Sequence, residues 1–447
     1  MCNCRIFPCS RINLMQCIQA HFQNTPQLAA ATIKLLSDPV LLSKMRLNAL
    51  HKINPTAWEN AAIAHVELLQ KYILEKKELL KFEIPVISLA HIKRLTTVKG
   101  MLQFSAISIP DIESGYTLDD NARALIAVTK YYKITGEITA LSLIDSYLNF
   151  IFFCQQANGN FLNYVDKEGQ YFAKNNDENL EDSNGRAIWA LGEFVSNQNL
   201  FNSYVIDKAA LAIKRSLNQI AGFHSPRAIA FSIKGLYHYN QVYNNPAVKQ
   251  LITALGDNLV SKYRGVSDNK WEWFEEYLTY ANSVLPESLL YAYLSTGNKL
   301  FKSIARSSFD FLLSITFREG KIKVVSNQGW HIKGKPSNKF GEQPIDVAYT
   351  ILALGLFYDV FKDQTYLQKM EIAFNWFLGN NHLHQIIYNP CTGGCYDGLE
   401  EYHINLNQGA ESTVSYLLAR LTVEKYLNLK QLSATPVISR INNYELI

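Results

Sequence analysis

The residues most able to do chemistry in this sequence are acids that stand just before apolar, periodic runs. Asp119 and Asp120 lie in GYTLDDNARALIAVTKYY, Asp182 in NLEDSNGRAIWALGEFV and Asp346 in FGEQPIDVAYTILALGLFY. Glu411 lies in NQGAESTVSYLLARL and Glu287 in LPESLLYAYL. In each case apolar residues follow at helical spacing, so each acid marks the start of an amphipathic helix. Acids near helix N-termini are favoured by the dipole, and Asp is a good N-cap, so for any single one a structural role comes first. The group carries more weight. In a ring of antiparallel helical hairpins the inner helices all run one way, and their N-termini share one rim. Carboxylates gathered there repel one another, which raises some pKa values and suits a general acid and base.

Other ligand-type residues sit in loop-like sequence nearby. WEWFEEYLTYANSVLPE offers Trp271, Trp273, Glu275, Glu276, Tyr280 and Asn282, and SNQGWHIKGK offers Trp330 and His331. Trp271, Trp273 and Trp330 read as platforms for sugar rings. Trp189 and Trp376, inside helical patterns, read as packing. Asn121, Gln343 and the early-helix Arg123, Arg186 and Arg227 complete the set. Buried arginine needs a carboxylate partner, so these arginines serve either a ligand or the acids themselves.

The chain of 447 residues is long enough for two units. Its 48% hydrophobic content allows a large core. With 43 Lys and Arg against 39 Asp and Glu, the near-balance gives no nucleic-acid signal. The seven cysteines, Cys2, Cys4, Cys9, Cys17, Cys154, Cys391 and Cys395, are irregularly spaced, so neither a disulfide framework nor a zinc site is expected. No cofactor is expected either. The N-terminus lacks the apolar core of a secretory signal, so a cytoplasmic location is expected. IDVAYTILALGLFYDVF carries Asp346 and Asp359 and reads as a buried helix, so no membrane partner is expected.

Residues 1–22 show no periodicity. Three helical patterns follow, with start signals at Thr25-Pro26 and Asn54-Pro55. FEIPVISL reads as a short strand. From residue 115 nearly everything reads as paired helices. Thr135-Gly136, Thr296-Gly297 and Lys362 each close a helix, and Phe150, Phe311 and Phe377 follow fifteen positions after Thr135, Thr296 and Lys362. A tyrosine precedes each turn: Tyr131 or Tyr132, Tyr293 and Tyr358. Such self-similarity marks a helical array or closed ring. The expected fold is mainly α, an (α/α)6 toroid over residues 81–430. A helical segment over 1–80 precedes it and a tail over 431–447 follows.

Taken together, GYTLDDNARALI, EDSNGRAIWALGE, WEWFEEYLTYANSVLPESLL, QPIDVAY and NQGAESTVSYLLARL resemble the six-hairpin toroid module fused behind bacterial GT-B glycosyltransferases. The segment from Gln27 to Tyr72 resembles the last helices of such a glycosyltransferase. The resemblance implies a separately encoded glycosyltransferase as partner, because the donor-sugar domains have no counterpart here. The toroid is also similar to inverting endoglucanases, glucoamylases, unsaturated glucuronyl hydrolases and sugar epimerases. Likeness to the inverting cellulases implies that Asp120, before Asn121, is the catalytic base. It also implies that Glu401, six residues before Asn407, is the acid, with Glu411 its rival.

Three functions remain open on the sequence. The first is an inverting glycoside hydrolase acting on an oligo- or polysaccharide. Asp120 and Glu401 or Glu411 would be catalytic. Asp119, Asn121, Arg123, Asp182, Arg186, Trp271, Trp273, Glu276, Asn282, Trp330, Gln343 and Asp346 would contact substrate. The second is a non-catalytic glycan-binding accessory module. The third is a sugar epimerase or isomerase using a histidine pair drawn from His91, His224, His331 and His403.

Overall fold

The computed structural model describes residues 24–72 and 82–434. The chain divides into two compact units, residues 1–78 and 79–447. Cys2, Cys4, Cys9, Cys17, the aperiodic N-terminal stretch and the tail beyond residue 434 lie outside the described residues.

The first unit contains three helices, α1 (Thr25–Ser37), α2 (Pro39–Ile53) and α3 (Trp58–Tyr72). The side chain of Asn24 caps α1 by accepting from the Gln27 amide, and Asp38 caps α2 by accepting from Leu41. Pro55 opens a 3-10 turn over Asn54–Thr56, and α3 begins three residues later than the Asn54-Pro55 signal implies.

The second unit begins with residues 82–89, which carry no regular secondary structure where a strand was expected. Then come α4 (Ala90–Leu95), β1 (Thr96–Thr97), β2 (Gly100–Ala106) and β3 (Ile109–Thr117). With β4 (Tyr164–Val165) these form an antiparallel sheet in the order β1-β2-β3-β4. Leu102 pairs with Tyr116, and a bulge shifts the register before Phe104 pairs with Asp111. The sheet matters because β3 runs directly into the first long helix. Thr117, its last residue, is also the N-cap of α5.

The helices then alternate between two layers: α5 (Leu118–Thr135), α6 (Ala140–Cys154), α7 (Glu181–Val195), α8 (Ser203–Ile220), α9 (Pro226–Tyr243), α10 (Pro246–Val266), α11 (Val284–Thr296), α12 (Lys299–Thr316), α13 (Pro344–Phe361), α14 (Gln364–Phe377) and α15 (Ala410–Ala434). Helices α5, α7, α9, α11, α13 and α15 each pack on the next, and α15 returns to α5, so the inner layer is a closed ring of six. Helices α6, α8, α10, α12 and α14 pack outside it, and the six-residue α4 covers α15. This is an (α/α)6 toroid.

The layers follow from the sequence pattern. α8 and α12 show a single buried face, whereas α7 and α13 are buried almost all round. α13 is long and apolar enough to cross a membrane on those criteria, but here it is an inner stave of the ring. Hairpin turns use left-handed caps: Gly136, Gly297 and Lys362 have φ of 67°, 78° and 57°. Their amides donate to the carbonyls of Tyr132, Tyr293 and Tyr358, which makes Tyr132 the member of the repeat in the first hairpin. The contact of α7 with α9 depends on glycine. A Cβ on Gly192 would lie 2.0 Å from the Gly235 carbonyl oxygen, and one on Gly235 would lie 2.1 Å from that of Ile188.

At mid-height the ring is filled. Trp189 stacks on Phe231 at 5.7 Å, and Tyr349 meets both edge-on at 5.9 Å. Pairs of this kind contribute about 0.5–1.5 kcal/mol beyond area burial. The plug divides the interior into an upper end, at the helix N-termini, and a lower end.

Candidate active site

The upper end is built from the first turn of each inner helix. On α5, the Thr117 hydroxyl accepts from the Asp120 amide at 3.2 Å and donates to Asp120 Oδ2 at 2.6 Å, a variant of the capping box. Arg123, one turn on, donates to Asp120 Oδ1 at 3.0 Å. Both oxygens of Asp120 are therefore engaged by the protein. The other terminal nitrogen of Arg123 pairs with Glu411 Oε2 on α15 at 3.0 Å. Two carboxylates gripped by one guanidinium lie no more than about 8 Å apart, given its fixed fork.

Asn121 is buried and spent on structure. Its Oδ1 accepts from the Met101 amide at 2.8 Å and its Nδ2 donates to the Thr117 carbonyl at 2.8 Å. It fastens β2 to α5 and does not reach the cleft. Asp119 holds Arg186 of α7 at 2.7 Å. Asp182 accepts from the hydroxyls of Ser225 and Tyr280, which ties α7 to α9 and to the loop before α11. Arg227 of α9 pairs with Glu275 at 2.9 Å and donates to the Tyr280 carbonyl at 2.8 Å. Asn282 caps the same loop through the Thr279 amide at 3.0 Å. On α13, Asp346 Oδ1 accepts from the Ala281 amide at 2.6 Å, and its Oδ2 makes no hydrogen bond.

Between these groups lies a two-lobed cleft. The first lobe, about 260 Å³, is lined by Asp119, Asp120, Arg123, Asp397, Glu400 and Glu411, among others. The second, about 220 Å³, is lined by Thr279, Tyr280, Trp330, Ile345 and Asp346. Asn327, Gln343 and Glu411 line both, so Glu411 stands on the partition. Burial pushes three carboxyl groups up: Asp120 to about 6 against the pull of Arg123, Asp397 to about 6 and Asp346 to about 7. The charge of Glu411 is part of the rise in all three. Glu411 itself is 42% exposed at its side chain, and its Oε1 makes no hydrogen bond.

The structure thus brings Asp119, Asp120, Arg123, Trp330, Gln343, Asp346 and Glu411 to one cleft. Others fall elsewhere. Glu401 is exposed on a turn and lines neither lobe; its neighbour Glu400 does, because the short hairpin of 398–399 and 404–405 alternates its side chains. Trp271 and Trp273 are buried against Phe311 and Phe274, where they pack and present no sugar platform. Glu276 is exposed, 3.9 Å from Lys333. Asp182, Arg186 and Asn282 support the rim without lining the lobes. Glu287, four residues into α11, turns away to the lower end and pairs with Lys234. His91, His224, His331 and His403 line neither lobe.

Asp397 and Glu400 were not legible in the sequence. They lie in CYDGLEEYH, which has no helix-start signal, and only pairing of the local hairpin directs them inward. Asp397 is fixed by the Gly409 amide at 2.8 Å, immediately before α15.

No family model matches the sequence, and no curated protein does. Solved structures do share the architecture. Cellobiose 2-epimerase from Bacillus thermoamylovorans aligns with a TM-score of 0.60 at 12% identity, over 76% of this chain and 96% of that one. A D-mannose isomerase aligns at 0.58 and 14% identity, over 75% and 96%. A GH76 α-mannanase from Bacteroides thetaiotaomicron aligns at 0.51 and 13%, over 71% and 88%. At these identities the likeness establishes the fold, the (α/α)6 toroid that the closed inner ring displays.

Proposed function

We propose that this chain is a carbohydrate-active enzyme, an inverting glycoside hydrolase that works at the two-lobed cleft with Asp346 as general acid and Glu411 as general base. The observation that carries this reading is the pair itself. Asp346, its carboxyl pushed up to about 7 by burial, shares one lobe with Glu411, whose carboxylate is held by Arg123 and has one oxygen free. Different environments for two carboxyl groups in one site assign acid and base. Water entering the lobe loses its proton to Glu411 as it attacks the anomeric carbon, and Asp346 gives its proton to the departing oxygen. The lobe that both groups line, about 220 Å³, has room for the water that inversion requires. The sugar substrates named for structures of this fold, cellobiose and mannose among them, support the carbohydrate class.

Asp120 takes a different role from that implied by the cellulase resemblance. With both oxygens engaged, it orients Arg123. The absence of histidine from the described lining of both lobes weighs against the epimerase reading. The test is release of reducing sugar from a panel of neutral oligosaccharides by wild type, Asp346→Asn and Glu411→Gln. Turnover lost in both variants supports the assignment. Equal rates in all three overturn it, and binding without turnover by wild type selects the accessory-module reading.

A further inference from the structure

The lower end of the ring holds the larger cavity, about 630 Å³, within the range of small-molecule sites. All six inner helices contribute to it. Its roof is Trp189, part of the plug that separates it from the upper cleft. Lys234 of α9 lies 3.6 Å from the centre of the Trp189 ring and 2.8 Å from Glu287 Oε2 of α11. Both side chains are more than nine-tenths buried, at 1% and 3% exposure. Burying such a pair costs more than its mutual attraction returns unless the remaining hydrogen-bonding capacity is met. It is not met by the protein. Lys234 has three donors and a single hydrogen-bond partner, and Glu287 Oε1 makes no hydrogen bond though Glu287 lines the cavity.

The rest of the lining limits the ligand. Besides that pair the walls carry Lys130, Lys133 and Lys425 against Glu193, Asp359 and Glu424, with Lys130 paired to Glu193 at 2.9 Å and Lys425 to Asp359 at 2.6 Å, so the charges match in number and favour no ion. Leu352, Leu356 and Leu421 supply apolar surface. A neighbouring donor and acceptor under the Trp189 roof of a neutral, partly apolar cavity suit adjacent hydroxyl groups, one donating to Glu287 Oε1 and one accepting from Lys234. We infer that this lower cavity is a second binding site, separate from the cleft, for a small neutral polyhydroxylated molecule of monosaccharide size.

The inference does not depend on the hydrolase reading, and the experiment keeps them apart. D-glucose and D-mannose are titrated into the full-length protein, with binding followed by ligand-observed NMR. The proteins are a cleft variant, Glu411→Gln with Trp330→Ala, and two cavity-filling variants made in that background, Leu356→Trp on α13 and Thr422→Trp on α15. Binding in the cleft variant that weakens at least tenfold in the folded filling variants is the expected result. Glu287→Gln in the same background, which keeps the volume, should also weaken it. No binding of either sugar in the cleft variant, or binding that the filling variants leave unchanged, overturns the proposal.

Discussion

Arg123 on the first inner helix and Glu411 on the last meet at 3.0 Å, so the ion pair that closes the ring also sets the cleft. The same guanidinium holds Asp120, at 3% and 5% side-chain exposure for that pair. Removing Arg123 therefore leaves a buried carboxylate without its cation. Arg123→Ala should destabilise the protein by about 3–5 kcal/mol, and Arg123→Lys, which cannot fork to both acids, should recover only part of that. Denaturant unfolding of the two variants measures it. A loss below about 1 kcal/mol for Arg123→Ala would contradict the bridge.

Asp346 makes a prediction about pH and stability. Its folded pKa, about 7, lies above the ordinary carboxylate value of 3.8. Between those values the folded state holds a proton that the unfolded state has lost. Stability must then fall as pH rises from about 4 to 7, by at most about 4 kcal/mol from this group. Asp346→Asn keeps the acceptor for the Ala281 amide and removes the titration. It should match wild type near pH 4 and be the more stable protein at pH 8, by thermal unfolding at both pH values.

The same group sets the alkaline limb of activity. If Asp346 donates the proton, kcat/KM should decline tenfold per pH unit above about 7. Asp346→Asn should lower kcat by about 10²–10⁴-fold and abolish that limb in whatever activity remains. A wild-type profile flat from pH 6 to 9 would remove Asp346 from the acid role.

Glu411 and Glu401 should part company. Glu411→Gln should reduce kcat by about 10²–10⁴-fold, while Glu401→Gln, on its exposed turn, should leave kcat and KM within about twofold of wild type. Steady-state kinetics of both variants decides between them.

The tryptophans separate in a similar way. Trp330, 45% exposed and stacked on Tyr277 at 5.8 Å, lines the second lobe. Trp330→Ala should raise KM with kcat and thermal stability nearly unchanged. Trp273, fully buried, should behave in the opposite manner, Trp273→Ala costing about 3–5 kcal/mol of stability. Paired kinetic and unfolding measurements on the two variants test this.

The sequence by itself determined the ring and the direction of its staves. Helical periodicity after each acid, together with the repeated caps at Gly136, Gly297 and Lys362, specifies hairpins whose inner members begin at one end. That alone gathers Asp120, Asp346 and Glu411, because parallel inner helices have no other place for their first turns. Tertiary structure decided what periodicity does not encode, namely which way a side chain turns and what already occupies it. Likeness to the inverting cellulases implies that Asp120 is a base, and in the fold Thr117 and Arg123 take both its oxygens. Glu287 shares the acid-then-helix pattern and also stands in the first turn of its helix, yet it turns to Lys234 at the lower end. Trp271 and Trp273 stand in loop-like sequence, but that loop folds back on α12 and buries them. Asp397 and Glu400 reach the cleft only through hairpin pairing around 398–405, set by contacts between residues rather than by their spacing.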